Sequence, residues 1–96
     1  MIEVARFRLA DGVAPEEFLA RNAEYQQGFM YQQAGLLRRT VASGLDGEWV
    51  SITWWRSMTD ARQSMANAPD SPIASALHEL LDPESLEREY FKELPG

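Results

Sequence analysis

The stretch "LLRRTVASGLDGEWVSITWW", residues 36–55, carries two alternating runs separated by a glycine-rich reversal. In the first run Leu37 and Val41 stand against Leu36, Arg38 and Thr40; in the second, Val50, Ile52 and Trp54 stand against Trp49, Ser51, Thr53 and Trp55. Side chains of a strand point alternately to its two faces, so each run reads as a strand with two unlike surfaces. Between them "SGLDGE" offers two glycines and an aspartate, which tolerate the backbone angles of a tight reversal. The stretch therefore predicts an antiparallel hairpin. All three tryptophans lie in its second arm, Trp54 on one surface and Trp49 and Trp55 on the other.

Working outward, "IEVARFRL" also alternates, with Ile2, Val4, Arg6 and Arg8 on one face and Ala5, Phe7 and Leu9 on the other, and predicts a first strand. "ADG" ends it. "APEEF" then opens a helix, with Pro15 in its first turn and Glu16 and Glu17 at the positive end of its dipole. Phe18, Asn22, Tyr25 and Phe29 recur at helical spacing, and Gly35 suits a left-handed stop, which predicts a helix over 15–33. After the hairpin, "SMTD" has the form of a capping box at Ser57 and Asp60. Pro69 and Pro72 interrupt the helical period, and "SPIASALHELL" resumes it, so one broken helical connection is predicted from about 57 to 81.

The last segment, "SLEREYFKEL", is ambiguous on local grounds. Leu86, Arg88 and Tyr90 alternate as in a strand, while Leu86, Tyr90 and Leu94 would also suit a helix. Topology arbitrates: after β-α-β-β-α, a final strand completes the split βαβ plan of four antiparallel strands backed by helices on one face. The expected fold is thus a single α+β, ferredoxin-like domain over residues 1–96. Its first and last strands would be neighbours, so Arg6 and Arg8 are expected to face Glu87 or Glu89, pairs worth roughly 0.2–1 kcal/mol each.

A chain of 96 residues supports one core and leaves much surface exposed. With helices on one side only, a tryptophan-bearing sheet face is left uncovered, and such a patch marks an interaction surface. A homodimer closed through that face is expected. The net charge of −6 opposes a nucleic-acid partner, which would need a basic face to displace counterions. No cysteine and a single histidine leave no usual zinc set, and no glycine-rich phosphate loop occurs, so neither metal nor cofactor is expected. The N-terminus lacks the pattern of a secretion signal and no apolar run approaches the ~20 residues of a membrane helix; a cytoplasmic protein without a membrane partner is expected.

His78 is the one side chain whose ordinary pKa lies near neutrality, which makes it the first candidate for a general base. Ser75 and Asp82, three positions before it and four after, would place serine, histidine and carboxylate along one helix face. No nucleophile turn accompanies them, so a surface or capping histidine is the stronger reading over a hydrolytic triad. Asn22, Tyr25, Arg38, Trp49 and Tyr90 form the remaining polar and aromatic inventory of a candidate pocket. Each tryptophan is also core or subunit-seam material, since aromatic side chains bury up to ~250 Å².

The β-α-β-β-α-β order, "AGLLRR" at the entry to strand two, "GEWVSITWWRSMTDA" from strand into helix, and the following "SP" break resemble the dimeric α/β-barrel proteins of the antibiotic biosynthesis monooxygenase-like superfamily. The resemblance spans nearly the whole chain and implies a ligand cavity between sheet and helices in each protomer. It further implies a cofactor-independent oxygenase acting on a small aromatic or polyketide-like compound, with a non-catalytic ligand-binding or interaction module as the alternative. The superfamily's haem-degrading branch uses an asparagine in strand one, and a tryptophan and a histidine in the second helix. Here strand one offers Arg6 and Arg8, the tryptophan region reads "RQSMA" around Ser64 and Met65, and only His78 has a counterpart.

Overall fold

Alternation and turn chemistry produce four strands and three helices in a computed structural model that describes residues Met1–Gly96. The order is β1 (Ile2–Phe7), α1 (Pro15–Gly28), β2 (Leu36–Ser43), β3 (Trp49–Trp55), α2 (Met58–Asn67), α3 (Pro72–His78) and β4 (Glu87–Phe91). Short 3-10 turns at Met30–Gln32 and Ala68–Asp70 follow α1 and α2. The strands form one antiparallel sheet in the order β2-β3-β1-β4, with α+β, ferredoxin-like topology. The ambiguous C-terminal segment is a strand: an edge position on β1 gives its backbone groups partners that a free helix of this length would lack.

The predicted helix over 15–33 stops earlier, at Gly28. Phe29 leaves helical geometry (φ −124°, ψ −62°) and is buried in the core, and the chain continues as the 3-10 turn. Gly28 lies where α3 crosses α1, and a Cβ there would come within 2.7 Å of Ile73 Cδ1. At the start of α2, the Ser57 hydroxyl oxygen accepts from the Asp60 backbone N–H at 3.1 Å and the hydroxyl donates to the Asp60 carboxylate at 2.9 Å. Ser71 caps α3 in the same way, accepting from Ala74 N–H at 3.1 Å, with Pro72 in the first turn.

Register fixes which residues meet. Glu3, Ala5 and Phe7 of β1 point to the helices with Ser51, Thr53 and Trp55 of β3, Arg39 and Val41 of β2, and Arg88 and Tyr90 of β4. Phe7, Phe18, Tyr25, Phe29, Met30, Trp55, Ala61, Ala74 and Leu77 build the core on this side. Trp49 joins its edge, 4.8 Å from Phe18 ring to ring. Ile2, Val4, Val50, Ile52, Trp54 and Phe91 occupy the opposite face, which no element of the chain covers.

The expected strand-to-strand charges divide. Arg6 donates to Glu89 at 2.7 Å, an exposed pair worth about 0–1 kcal/mol. Arg8 lies past the end of β1 and turns instead to the hairpin, donating to the Asp46 carbonyl at 2.8 Å and to its carboxylate at 3.3 Å. No helix is long and apolar enough to cross a membrane.

Candidate active site

A cavity of about 540 Å³ opens between the sheet and the far ends of the helices. Its floor is the Glu3 end of β1 with Trp55 and Arg88; α1 contributes Tyr25, and Phe29 follows just past its end; its roof is Ala61, Ser64 and Met65 of α2 with Ser75, His78 and Glu79 at the end of α3. The size falls within the range of small-molecule sites. The other end of the helical layer is solid, because Phe18 is wholly buried between Phe7 and Trp49. Small residues stand in the roof, where Ala61 and Ser64 are both buried and line the cavity. The interruption at Pro69 and Pro72 turns α3 away from α2 and sets His78 and Ser75 on the cavity wall.

The floor is held by one polar cluster. Glu3 accepts from the Trp55 indole N–H at 2.8 Å and pairs through its second oxygen with Arg88 Nε at 3.0 Å. Both oxygens of a largely buried carboxylate are thus engaged, as burial requires. This fixes Trp55 flat beneath the cavity; the residue is at once core and wall.

A second, smaller recess of about 40 Å³ lies deeper and shares Glu3, Tyr25, Met30, His78 and Arg88 with the main cavity. Arg39, only 8% exposed, stands at this inner end with Ser51 and Thr53. Its Nη1 donates to Asn22 Oδ1 at 2.8 Å and to Gln26 Oε1 at 3.0 Å, one turn apart on α1, and its Cζ lies 5.0 Å from the centre of the Tyr25 ring.

His78 meets Tyr25 edge-on, ring centroids 5.7 Å apart. The residue remains exposed to solvent at the cavity wall, yet partial desolvation, followed by the positive charges of Arg88 and Arg39, holds its pKa below the ordinary 6.5, so the imidazole is neutral at pH 7. Burial raises the Tyr25 pKa above 10.0 against the opposing pull of Arg39, leaving its hydroxyl a neutral donor. Tyr90 is likewise raised by desolvation, and its hydroxyl reaches the Met65 sulfur at 2.9 Å beside the cavity.

Of the residues singled out in the sequence, His78 and Tyr25 line the cavity and Tyr90 stands next to it. The others are elsewhere. Asn22 faces Arg39 and acts on the site only through it. Arg38 lies on the open face with its guanidinium 4.9 Å over Trp54, because regular alternation from Arg38 to Ser43 sets Arg38 and Thr40 outward and Arg39 and Val41 inward. Trp49 is packed on Phe18 at the solid end. Glu3, Arg39, Trp55 and Arg88 were not singled out as pocket groups. A signal for Arg39 does exist: it shares a strand face with Val41, opposite a helix that spaces Asn22 and Gln26 one turn apart.

No protein-family model and no curated protein matches the sequence. Solved structures do match the fold. SnoaB, a cofactor-independent oxygenase from Streptomyces nogalater, is 27% identical and superposes with a TM-score of 0.78 over 99% of this chain and 93% of its own. An antibiotic biosynthesis monooxygenase is 14% identical with a TM-score of 0.66, covering 99% of this chain and 100% of its own. A protein from Arabidopsis thaliana reaches 0.79 at 13% identity, over 99% of this chain and 96% of its own. The last two likenesses speak for the fold alone. With the split βαβ topology and the cavity between sheet and helices, the chain is thus similar in fold to an antibiotic biosynthesis monooxygenase and, at 27% identity, to the cofactor-independent oxygenase SnoaB.

Proposed function

We propose that the chain is a small cofactor-independent oxygenase whose substrate, an aromatic or polyketide-like compound, occupies the cavity above Trp55. The observation that carries this reading is a neutral histidine on the wall of a roomy cavity with mixed aromatic and polar lining, in a chain similar to an oxygenase that works without a cofactor. His78 takes a proton from the bound substrate; the electron-rich anion then passes one electron to dioxygen. Recombination of the two radicals at a carbon that bears hydrogen gives a peroxide anion; the imidazolium returns its proton to form the hydroperoxide, which loses water together with that carbon's hydrogen and leaves a carbonyl. The protein supplies a dry cavity, a base and donors for the developing oxyanion, the functions that a site of fixed dipoles performs best. Tyr25, as a neutral phenol, is a donor within reach of the same space.

The open face of the sheet fits a second copy. Ile2, Val4, Ile52 and Trp54 present a contiguous apolar surface there, with Phe91 46% exposed, and two such faces together would close a barrel that leaves each cavity on its own outer side.

One feature favours a non-catalytic ligand-binding module instead: the His78 ring is held by the edge of Tyr25 rather than by a hydrogen bond that would fix its orientation. Oxygen uptake with quinols and polyphenols separates the readings. Uptake that falls at least about a hundredfold in His78→Ala supports the oxygenase, the loss expected on removing a general base. Saturable binding without uptake supports the module.

A further inference from the structure

The inner recess carries one positive charge more than it carries negative. Arg39 and Arg88 face it, Glu3 is its one carboxylate, and Glu3 is already committed to Arg88 and to the Trp55 indole. Glu79 stands at the exposed mouth of the outer cavity, where water solvates it. Arg39 is therefore a buried guanidinium held by two neutral amides and an aromatic face, with no carboxylate of its own. A guanidinium stays protonated at pH 7, and a buried charge without a counter-charge is costly. Nη1 spends both hydrogens on Asn22 and Gln26, whereas Nη2 and Nε find no protein acceptor. No fully buried side-chain nitrogen or oxygen in the molecule goes unpartnered, so these two donors touch open space, and the recess is the space that Arg39 lines.

We infer that the natural ligand bears an anionic oxygen, a phenolate, enolate or carboxylate, which enters the inner recess against Arg39 while its apolar body fills the outer cavity. At about 40 Å³ the recess admits an oxygen-bearing group and excludes a ring, given that one water needs roughly 10–15 Å³ by the same kind of measure. Thr53 and Tyr25 add hydroxyls to its wall. The inference rests on the cavity being the ligand site; it adds the charge of the ligand and the direction in which it lies.

Probes of equal shape and different charge test it. Naphthoate and naphthamide are titrated by tryptophan fluorescence against the parent protein, Arg39→Met and Arg39→Lys, with circular dichroism to verify the fold. In the parent, naphthoate should bind at least about tenfold more tightly than naphthamide, the scale of a hydrogen bond to a charged group. In Arg39→Met the ratio should fall close to one, and Arg39→Lys should keep part of it. Should Arg39→Met not fold, a nitrophenol titrated against the parent above the ordinary histidine pKa decides: affinity should rise as the phenol ionises. A matching rise for the phenol without a preference for naphthoate would identify phenolates over carboxylates as the source of the anion. Equal affinity for the charged and neutral forms of both probe types, or a naphthoate preference that survives Arg39→Met, overturns the inference and leaves the cavity as a ligand site. Failure of every probe, charged or neutral, to bind would overturn the cavity reading itself.

Discussion

His78 shows how a side chain of ordinary type acquires a useful state from its surroundings. Burial disfavours its charged form first, and Arg88 and Arg39 add their fields in the same direction. As the sole histidine, it gives a single imidazole titration by NMR, which should have its midpoint below 6.5; Arg88→Gln should move that midpoint upward by removing one of the two cations. The linked effect on stability has a definite sign. Below the unfolded pKa of about 6.5 the unfolded chain binds a proton that the folded chain resists, so this group lowers stability as pH falls from there towards the folded pKa and contributes no slope above it. Urea unfolding of the parent and of His78→Gln across that range reads the difference.

Residue type alone made His78 and Tyr25 legible in the sequence. It misled on Arg38, because residue type does not say which strand face the helices cover; alternation groups Arg38 with Thr40 on the open face and Arg39 with Val41 on the covered one. Glu3 and Arg88 were hidden for a different reason. Arg88 stands between Glu87 and Glu89, which read as solvent-facing, and Glu3 is a lone carboxylate on the face of Ala5 and Phe7; only the pairing of β1 with β4 brings the two together under the helices.

Among the elements, the junctions carry the most specific chemistry. Gly35 precedes β2 at φ +80°, a conformation that side chains with a Cβ resist, and any side chain there would overlap the Asp60 side chain at the start of α2. The Arg56 N–H donates to the Gly35 carbonyl at 2.7 Å, so this contact locks β2 to the β3–α2 corner beneath which Trp55 sits. Gly35→Ala should lose roughly 1–3 kcal/mol of stability in urea, from backbone strain together with a displaced Asp60 cap. An unchanged unfolding midpoint would show that the corner is looser than this geometry requires. The hairpin and the Ser57 cap were written in local sequence, since turn and cap residues act over four or five positions. The early end of α1 was not, because it follows from α3 crossing at Gly28, a contact between distant segments.

At the scale of the whole molecule, one sheet serves two surfaces. Its helical side closes into a core at the Phe18 end and opens into the cavity at the Trp55 end. The other side presents the apolar face proposed to meet a second copy. Sedimentation at micromolar concentration should return twice the chain's 10.9 kDa, and Trp54→Asp, placing a charge on that face, should return a single chain with its far-ultraviolet spectrum intact. The order of strands and the uncovered face were readable from the sequence as a pattern. The cavity between sheet and helices was implied by the family resemblance alone, since periodicity encodes which face is covered and not where a volume between the layers stays empty.

The most direct measurement places the sole remaining indole on the cavity floor. In Trp49→Phe/Trp54→Phe only Trp55 reports, and titration with a dihydroxynaphthalene should quench its emission to saturation at a stoichiometry of one per chain; Ala68→Phe, added to fill the cavity from its wall, should abolish the quench while the fold persists. An unquenched Trp55, or a quench that Ala68→Phe leaves untouched, would contradict the assignment of this cavity as the ligand site.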